Sequence, residues 1–222
     1  MFSFQDLNIF GNCYLSNLNP KIYKYPTMEQ KIVRCWKTNN SLLIKYHDNE
    51  WGVPVHDDKK LFELLVLGGF QAGLTWELIL NRREAFKEAF DNFDPKLVAV
   101  YSDKDFNRLL NNPKIIRNKQ KIKAAIKNAN QFLKVQEEYG SFNRFLWSFV
   151  GRKPINNKFK ELAELPNKSR ESDDLSIDLK KRKFQFVGPT ICYALMQSAG
   201  LINDHLVQCF RYNQIRRLNS KK

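Results

Sequence analysis

Four potential metal ligands stand in two pairs at opposite ends of this chain, and that split most constrains how it can fold. Cys35 and His47 lie near the start of the recognisable domain, and His205 and Cys209 lie near its end. If the second pair is helical, its four-residue spacing places both side chains on one face. Zinc prefers thiolate and imidazole ligands, and a Cys2His2 set fills its tetrahedral shell. We therefore expect a structural zinc that ties the two ends together.

The residue types alone leave a second interpretation open. The spacing from Cys35 to His47 is not typical of zinc fingers. His47 would then be a hydrogen-bonded core histidine and Cys209 a buried thiol. His56 has no partner in either pair.

The charge balance indicates a polyanionic partner. The sequence contains 37 Lys and Arg residues and 23 acidic residues, which gives a formal net charge of +14. Such a charge favours nucleic acid over a membrane surface, although it also serves general solubility. The 222 residues, 43% of them hydrophobic, suffice for one globular domain.

Cysteine usage and hydropathy favour a cytoplasmic protein. Four cysteines are too few for a disulfide scaffold at this length. We find neither a leader that resembles a signal peptide nor an apolar run long enough to span a bilayer, so we expect no membrane partner.

The chain divides into three predicted parts. Residues 1–30 lack helical periodicity and form an N-terminal extension of unknown role, residues 31–215 form the domain, and residues 216–222 form a basic tail. Met28 would itself make a plausible start, which leaves two interpretations of the extension open: a genuine arm, or an upstream part of the reading frame.

Helical signals from Asp57 onward predict an all-α fold. The spacing of Leu61, Leu64, Leu65 and Gly68 is typical of one helix face. No stretch alternates with a period of two, so strands are not expected, and residues 151–171 form the longest irregular connection. Capping residues, prolines and periodicity predict helices that begin at Asp57 or Asp58, Pro95, Ser102, Lys119, Ser141, Ser172, Pro189, and Asn203 or Asp204. The helix from Lys119 is expected to end at Gly140, the helix from Ser141 to run through Val150, and the helix from Pro189 to end at Gly200. The last helix is expected to bear His205 and Cys209.

A basic segment followed by a glycine turn resembles a DNA-gripping hairpin. Lys181 and Lys183 belong to a run of four basic residues, and Gly188-Pro189-Thr190 opens the next predicted helix. Glycine permits close backbone approach, and amides at a helix N-terminus attract phosphate oxygens. Such a hairpin would hold one strand without reading bases. An ordinary corner between two helices explains this segment equally well.

Aromatic residues gather around two short motifs. Trp36, Tyr46 and Trp76 could form platforms for a planar base, above all a cationic one. The alternative is that large aromatics are simply core, and we expect this for Trp51. The turn over residues 71–74, Gln-Ala-Gly-Leu, is small enough to wedge into a duplex.

These motifs together resemble the DNA-3-methyladenine glycosylase I family. Order and spacing match from about Arg34 to Tyr212. The segments that carry the resemblance are residues 46–54 (YHDNEWGVP), 71–76 (QAGLTW), 115–118 (IIRN), 147–150 (WSFV), 186–193 (FVGPTICY) and 200–205 (GLINDH).

The resemblance implies a helix-hairpin-helix fold and a monofunctional DNA glycosylase. Such an enzyme flips an alkylated purine, foremost 3-methyladenine, out of double-stranded DNA and hydrolyses its N-glycosidic bond. We expect a monomer. The implied residues are Cys35, His47, His205 and Cys209 for structural zinc; Trp36, Tyr46 and Trp76 for the base, with Tyr46 and Trp76 as the catalytic residues; and Gln71, Gly73, Leu74, Lys181, Lys183, Gly188 and Thr190 for DNA.

One position departs from the family pattern. The family usually carries a glutamate that reads the amine edge of the base, and here that position is Gly68. Glu63 and Glu77 are candidate substitutes by proximity in sequence. Asp204 has two open roles, stabilising the sugar cation or capping a helix.

The departure at Gly68 motivates a rival interpretation. The same scaffold could bind alkylation damage without catalysing its release. A zinc hydrolase is disfavoured, because four protein ligands leave no open position on the metal.

Overall fold

The computed structural model describes residues 32–218, most of which are helical. The predicted extension over residues 1–30 and the end of the tail, residues 219–222, lie outside this range. The helices are α1 Ser41–Asn49, α2 Asp58–Gln71, α3 Trp76–Asn81, α4 Arg83–Ala89, α5 Pro95–Ala99, α6 Asp103–Leu110, α7 Lys119–Tyr139, α8 Phe142–Ser148, α9 Arg170–Lys181, α10 Pro189–Ser198 and α11 Phe210–Leu218, with 3-10 turns at Asp91–Phe93 and Leu162–Glu164.

Local capping chemistry explains the helix starts that were predicted correctly. The Asp57 side chain accepts from Lys60 N at 2.8 Å and caps α2. Asp94 caps α5, whose first residue is proline. The α7 helix ends at Gly140, whose φ of 78° lies in the left-handed region that glycine adopts without a Cβ clash.

Some predicted helix boundaries differ from the structure, and not every helix was predicted. The α9 helix begins at Arg170, because Ser169 is the cap and Ser172 lies in the first turn, where its amide donates to Ser169 Oγ at 3.3 Å. The α8 helix ends at Ser148, before Val150. The α1 helix was not predicted, although Asn40 caps it by accepting from two backbone amides.

The fold is mostly helical rather than all-α. Strands β1, Ile155–Asn156, and β2, Ile202–Asn203, pair in parallel with Ile155 opposite Ile202. Two residues are too few to show an alternating pattern, and β1 falls within the segment that we expected to be irregular.

The helix predicted to bear His205 and Cys209 is absent. These residues lie in the loop between β2 and α11, which starts at Phe210. Leu206 N donates to Cys35 Sγ at 3.2 Å, and Cys209 N donates to Leu206 O at 2.8 Å. Tertiary contacts with the distant cysteine therefore fix this loop in place of helical periodicity.

The main core forms where α2, α7 and α10 pack together. Phe132 of α7 lies against Phe62 of α2 at 5.1 Å between ring centroids and against Phe142 of α8 at 4.1 Å. This packing fixes the C-terminal end of α2 against α10, whose second half lines the candidate site. Within residues 32–218, no helix has both the length and the apolar character needed to cross a bilayer.

Candidate functional site

Cys35, His47, His205 and Cys209 form one buried Cys/His cluster, with their ligand atoms all within 4.8 Å of one another. Cys35 Sγ lies 3.5 Å from His205 Nδ1, and Cys209 Sγ lies 3.5 Å from His47 Nε2. Zinc bonds of about 2.3 Å to sulfur and 2.0–2.1 Å to nitrogen give a tetrahedral edge of about 3.6 Å between such atoms. The four donors therefore fit a tetrahedral metal ion.

In each histidine, the ring nitrogen that points away from the cluster already makes a hydrogen bond. His47 Nδ1 donates to Asp48 Oδ1 at 2.8 Å, and His205 Nε2 donates to Trp51 O at 2.9 Å. These bonds turn the other nitrogen of each ring toward the cluster, as partners of metal-bound histidines do. Arg34 in turn holds Asp48 by hydrogen bonds of 2.7–3.0 Å.

One cysteine of the cluster favours the thiolate form. A hydrogen bond with Cys35, opposed by burial and supported by His205 and His47, holds the pKa of the Cys209 thiol far below its ordinary value. Thiolate is the form in which cysteine binds metal.

An aromatic pocket of about 320 Å³ lies beside the Cys/His cluster. The rings of Trp36 and Tyr46 are nearly parallel, at 13° and 6.3 Å between centroids, and Trp76 lies 5.3 Å from Tyr46. The size is at the small end of ligand sites, which span about 300–1,000 Å³. Its walls are Trp36, Leu43, Tyr46, Trp51, Gln71, Trp76, Leu165, Ala194, Gln197 and Ser198.

Trp51 has two roles where one was expected. Only 6% of its surface is exposed, in keeping with a core position. Its ring also lines the pocket, 4.8 Å from Trp36 and 4.6 Å from His205. Trp51 therefore joins the pocket to the Cys/His cluster.

Two polar wall residues were missed by the sequence analysis. Gln197 and Ser198 follow Ala194 by three and four positions on α10, a spacing that places all three on one helix face. Tyr46 OH donates to Ser198 Oγ at 2.9 Å. Burial raises the pKa of Tyr46, so its hydroxyl stays protonated.

Neither candidate substitute for the missing glutamate lines the pocket. Glu63 accepts from Arg83 Nε at 2.6 Å and from Lys60 Nζ at 2.9 Å. Glu77 is exposed and accepts from Asn40. A side chain at Gly68 would start 3.8 Å from Ile191 Cγ2 on α10, an ordinary contact distance.

Asp204 is not a wall of the pocket and caps no helix. It is 1% exposed and accepts from three side chains. The donors are Tyr193 OH at 2.6 Å, Gln197 Nε2 at 2.8 Å and Asn157 Nδ2 at 2.7 Å. Its position suits holding other residues rather than touching a ligand.

The predicted hairpin is formed by α9, a loop over residues 182–188 and α10. Gly188 precedes Pro189 at the start of α10, where no side chain caps the first amides. A Cβ at Gly188 would meet nothing within 4 Å, so this point is open to an approaching ligand. Lys181 and Lys183 are exposed beside it, whereas Arg182 is held by Glu138 and Asp178.

The wedge turn, residues 71–74, begins at Gln71, the last residue of α2. Gly73 has a φ of 75°, and 37% of Leu74 is exposed. Lys121 Nζ donates to Phe70 O at 2.8 Å and to Ala72 O at 2.5 Å. A Cβ at Gly69 would lie 3.6 Å from Phe186 Cβ, so the end of α2 packs against the hairpin loop.

Comparison with known proteins gives one consistent family. A sequence profile described as methyladenine glycosylase matches residues 36–212. DNA-3-methyladenine glycosylase 1 of Escherichia coli is 47% identical over 180 residues, which cover 81% of this chain and 96% of that protein. DNA-3-methyladenine glycosylase of Haemophilus influenzae is 46% identical over 177 residues, 79% of this chain and 96% of the relative.

Solved structures of the same family have a fold similar to that of this chain. A crystal structure of 3-methyladenine DNA glycosylase I has a TM-score of 0.77 at 47% identity and covers 80% of this chain and 98% of its own. The Staphylococcus aureus enzyme, whose structure concerns 3-methyladenine recognition, has a TM-score of 0.77 at 37% identity, with 79% and 93% covered.

Proposed function

This chain belongs to the methyladenine glycosylase family and is a DNA glycosylase of base-excision repair, and we propose that its aromatic pocket receives 3-methyladenine flipped from duplex DNA. The observation that supports this site is an aromatic pocket beside an open hairpin and an exposed wedge turn. A base inside a duplex is out of reach, so the nucleotide must rotate into the pocket.

The chemistry uses the charge of the damaged base. Methylation at N3 makes the purine cationic, and the faces of Trp36 and Trp76 attract a cation. When the glycosidic bond breaks, its electrons move onto the base and cancel that charge. Water then adds to the oxocarbenium-like sugar and loses a proton. The protonated hydroxyl of Tyr46 can orient the base but cannot act as a general base.

This route needs no covalent intermediate. Because water is the nucleophile, no lysine has to attack the sugar. The strand therefore stays intact after the base has left, as in a monofunctional glycosylase.

We assign the Cys/His cluster to zinc. Two thiolates and two imidazoles are a typical structural zinc set, and both histidines carry outer partners that fix their orientation. The ion would hold α1 and the loop before α11 together. Four protein ligands leave it no position for water, so its role is stability.

Two surfaces would hold the DNA. Exposed Lys181 and Lys183 and the amide of Thr190 would contact phosphates, with Gly188 leaving room for the backbone. In the wedge turn, Gln71, Gly73 and Leu74 would fill the gap left by the flipped nucleotide.

Release of free base from methylated duplex DNA, separated by chromatography, tests this function. We expect 3-methyladenine in solution and strands that break only after later treatment with alkali. Folded protein that binds methylated DNA and releases no base would instead support the non-catalytic rival, which the missing carboxylate at Gly68 motivates. Strand breaks that form without alkali would contradict the monofunctional assignment.

A further inference from the structure

The wall of the aromatic pocket carries a fixed hydrogen-bond acceptor that can replace the carboxylate missing at Gly68. We propose that Gln197 Oε1 accepts a hydrogen bond from the exocyclic amine of 3-methyladenine, and that Asp204 sets the orientation of this amide. The inference rests on the proposed function of the pocket. It makes Gln197 a specificity residue and Asp204 a positioning residue.

Asp204 determines which atom of the Gln197 amide faces the base. A carboxylate oxygen only accepts hydrogen bonds, so the amide nitrogen of Gln197 must point toward it, and Gln197 Nε2 lies 2.8 Å from Asp204 Oδ2. Donors from Tyr193 and Asn157 hold the carboxylate in turn, at 2.6 and 2.7 Å. The amide of Gln197 is thus locked in one orientation.

Among the described residues, none donates a hydrogen bond to the carbonyl oxygen of this amide. This oxygen, Gln197 Oε1, is not among the fully buried polar atoms that lack a partner, so it is open to the pocket that Gln197 lines. An acceptor that is fixed in place and open to a pocket favours a ligand that brings a donor to it.

Position 68 meets α10 at Ile191, six residues and about 9 Å of helix rise before Gln197. Ile191, Ala194 and Gln197 follow one another at intervals of three residues along this helix. Ile191 is the residue that a Cβ at Gly68 would meet, and Ala194 and Gln197 are pocket walls. Ser198, the next residue, bonds the Tyr46 hydroxyl, so the aromatic wall is fixed to this helix as well.

Because Gln197 Oε1 is held in one orientation, it can distinguish purines by the group that they carry at one edge. Adenine carries an amine there, which donates to Gln197 Oε1. Guanine carries a carbonyl oxygen at the same position, which would face another acceptor and be repelled. The pocket should therefore prefer 3-methyladenine to 3-methylguanine, although a neutral amide attracts the cationic base less than a carboxylate would.

The test is the ratio of kcat/KM for duplexes that contain 3-methyladenine or 3-methylguanine. Gln197→Leu removes the acceptor and should lower this ratio at least tenfold, which corresponds to about 1.4 kcal/mol. Gln136→Leu is the matched control, because Gln136 also donates its amide to an aspartate, at 2.6 Å from Asp58, and is not a wall of the pocket. It should keep the parental ratio.

Asp204→Asn provides a second variant with a different signature. Its amide can accept as well as donate, so Gln197 is no longer held in one orientation, which should shift the ratio toward 3-methylguanine. Metal content is measured alongside, because His205 follows directly. If Gln197→Leu does not fold, the ratio in Asp204→Asn decides.

The two possible failures are distinguishable. A parental ratio in folded Gln197→Leu, with 3-methyladenine still released by the parent, overturns the role of Gln197 and leaves the proposed function intact. Absence of 3-methyladenine release by the parent overturns the proposed function itself.

Discussion

Lys121 and Asn128 lie seven residues apart on one face of α7, and each side chain fixes one of the two turns beside the pocket. Lys121 Nζ donates to the carbonyls of Phe70 and Ala72 at the wedge turn. Asn128 exchanges two hydrogen bonds with the backbone of Gln185 in the hairpin loop, at 2.8 and 2.9 Å. One helix, α7, therefore sets the spacing between the two candidate DNA-binding turns.

Lys121→Met should impair excision from duplex DNA about tenfold or more. A buried charge-assisted hydrogen bond is worth roughly 1.5–3 kcal/mol, and without it the wedge turn loses its anchor. Kinetics on methylated duplex DNA would measure this, with Lys134→Met, an exposed lysine of the same helix, as the control. Equal rates for all three proteins would show that the anchor is dispensable.

Gly188→Glu should weaken binding to every duplex, whatever its sequence, because it brings a negative charge to the phosphates. Gly188→Ala is the control for backbone effects, since a φ of −64° suits any residue and its Cβ would meet nothing within 4 Å. Titrations at several salt concentrations should give steep salt dependence for the parent. Unchanged affinity in the glutamate variant would show that the hairpin only connects two helices and does not contact DNA.

Cys209→Ser should lower both the zinc content and the melting temperature. Breaking a buried charged set by removing one member costs about 3–5 kcal/mol, which lowers Tm by roughly 6–20 °C at about 2–4 °C per kcal/mol. Cys192→Ser serves as the matched control, because Cys192 is buried outside the cluster. Elemental analysis showing less than one zinc in parental protein purified without chelator would contradict the assignment.

Gly68→Glu should tighten binding of free 3-methyladenine by about ten- to a hundredfold, the equivalent of a charge-assisted hydrogen bond of roughly 1.5–3 kcal/mol. The new side chain begins at an ordinary 3.8 Å from Ile191. Gly68→Gln has nearly the same shape without the charge and should bind more weakly than the glutamate variant. Calorimetric titration of the free base would compare them, and equal affinity in all three would mean that position 68 does not face the base.

Arg83→Met should flatten the dependence of stability on acid pH. Burial raises the pKa of Glu50, but hydrogen bonds from Arg83 at 2.8 and 2.9 Å outweigh burial and hold that pKa below its ordinary 4.5. The resulting stability is present above pH 4.5 and is lost as the pH falls through the lowered folded value.

Melting curves between pH about 3 and 6 would measure this effect. The exposed pair of Arg170 and Asp174, 3.9 Å apart, provides the control variant Arg170→Met. An unchanged pH profile in Arg83→Met would contradict the role of the ion pair.

Local chemistry made much of the fold predictable. Caps such as Asp57 and Asp94 and the stop at Gly140 act within one helical turn, so the sequence reveals them directly. Strand β2 and the loop that carries His205 depend on partners far along the chain, Ile155 and Cys35, and no local signal reports those contacts.

The candidate site was predictable to a similar degree. The four residues of the Cys/His cluster could be picked out by their chemistry, although the helix expected for His205 and Cys209 does not form. Gln197 and Ser198 gave no signal, because polar residues near the end of a helix usually face solvent. Their position in the pocket follows from the packing of α10 against α2.

The long separation within the Cys/His cluster sets an order of events during synthesis. Cys35 and His205 are 170 positions apart, so the ribosome makes the first pair of ligands long before the second. Until then Cys35 and His47 have only each other, and a two-ligand site holds metal weakly. If the cluster holds the zinc that we assign to it, the ion can gain all four ligands only after His205 and Cys209 have been made, so zinc binding would be a late step in the synthesis of the domain.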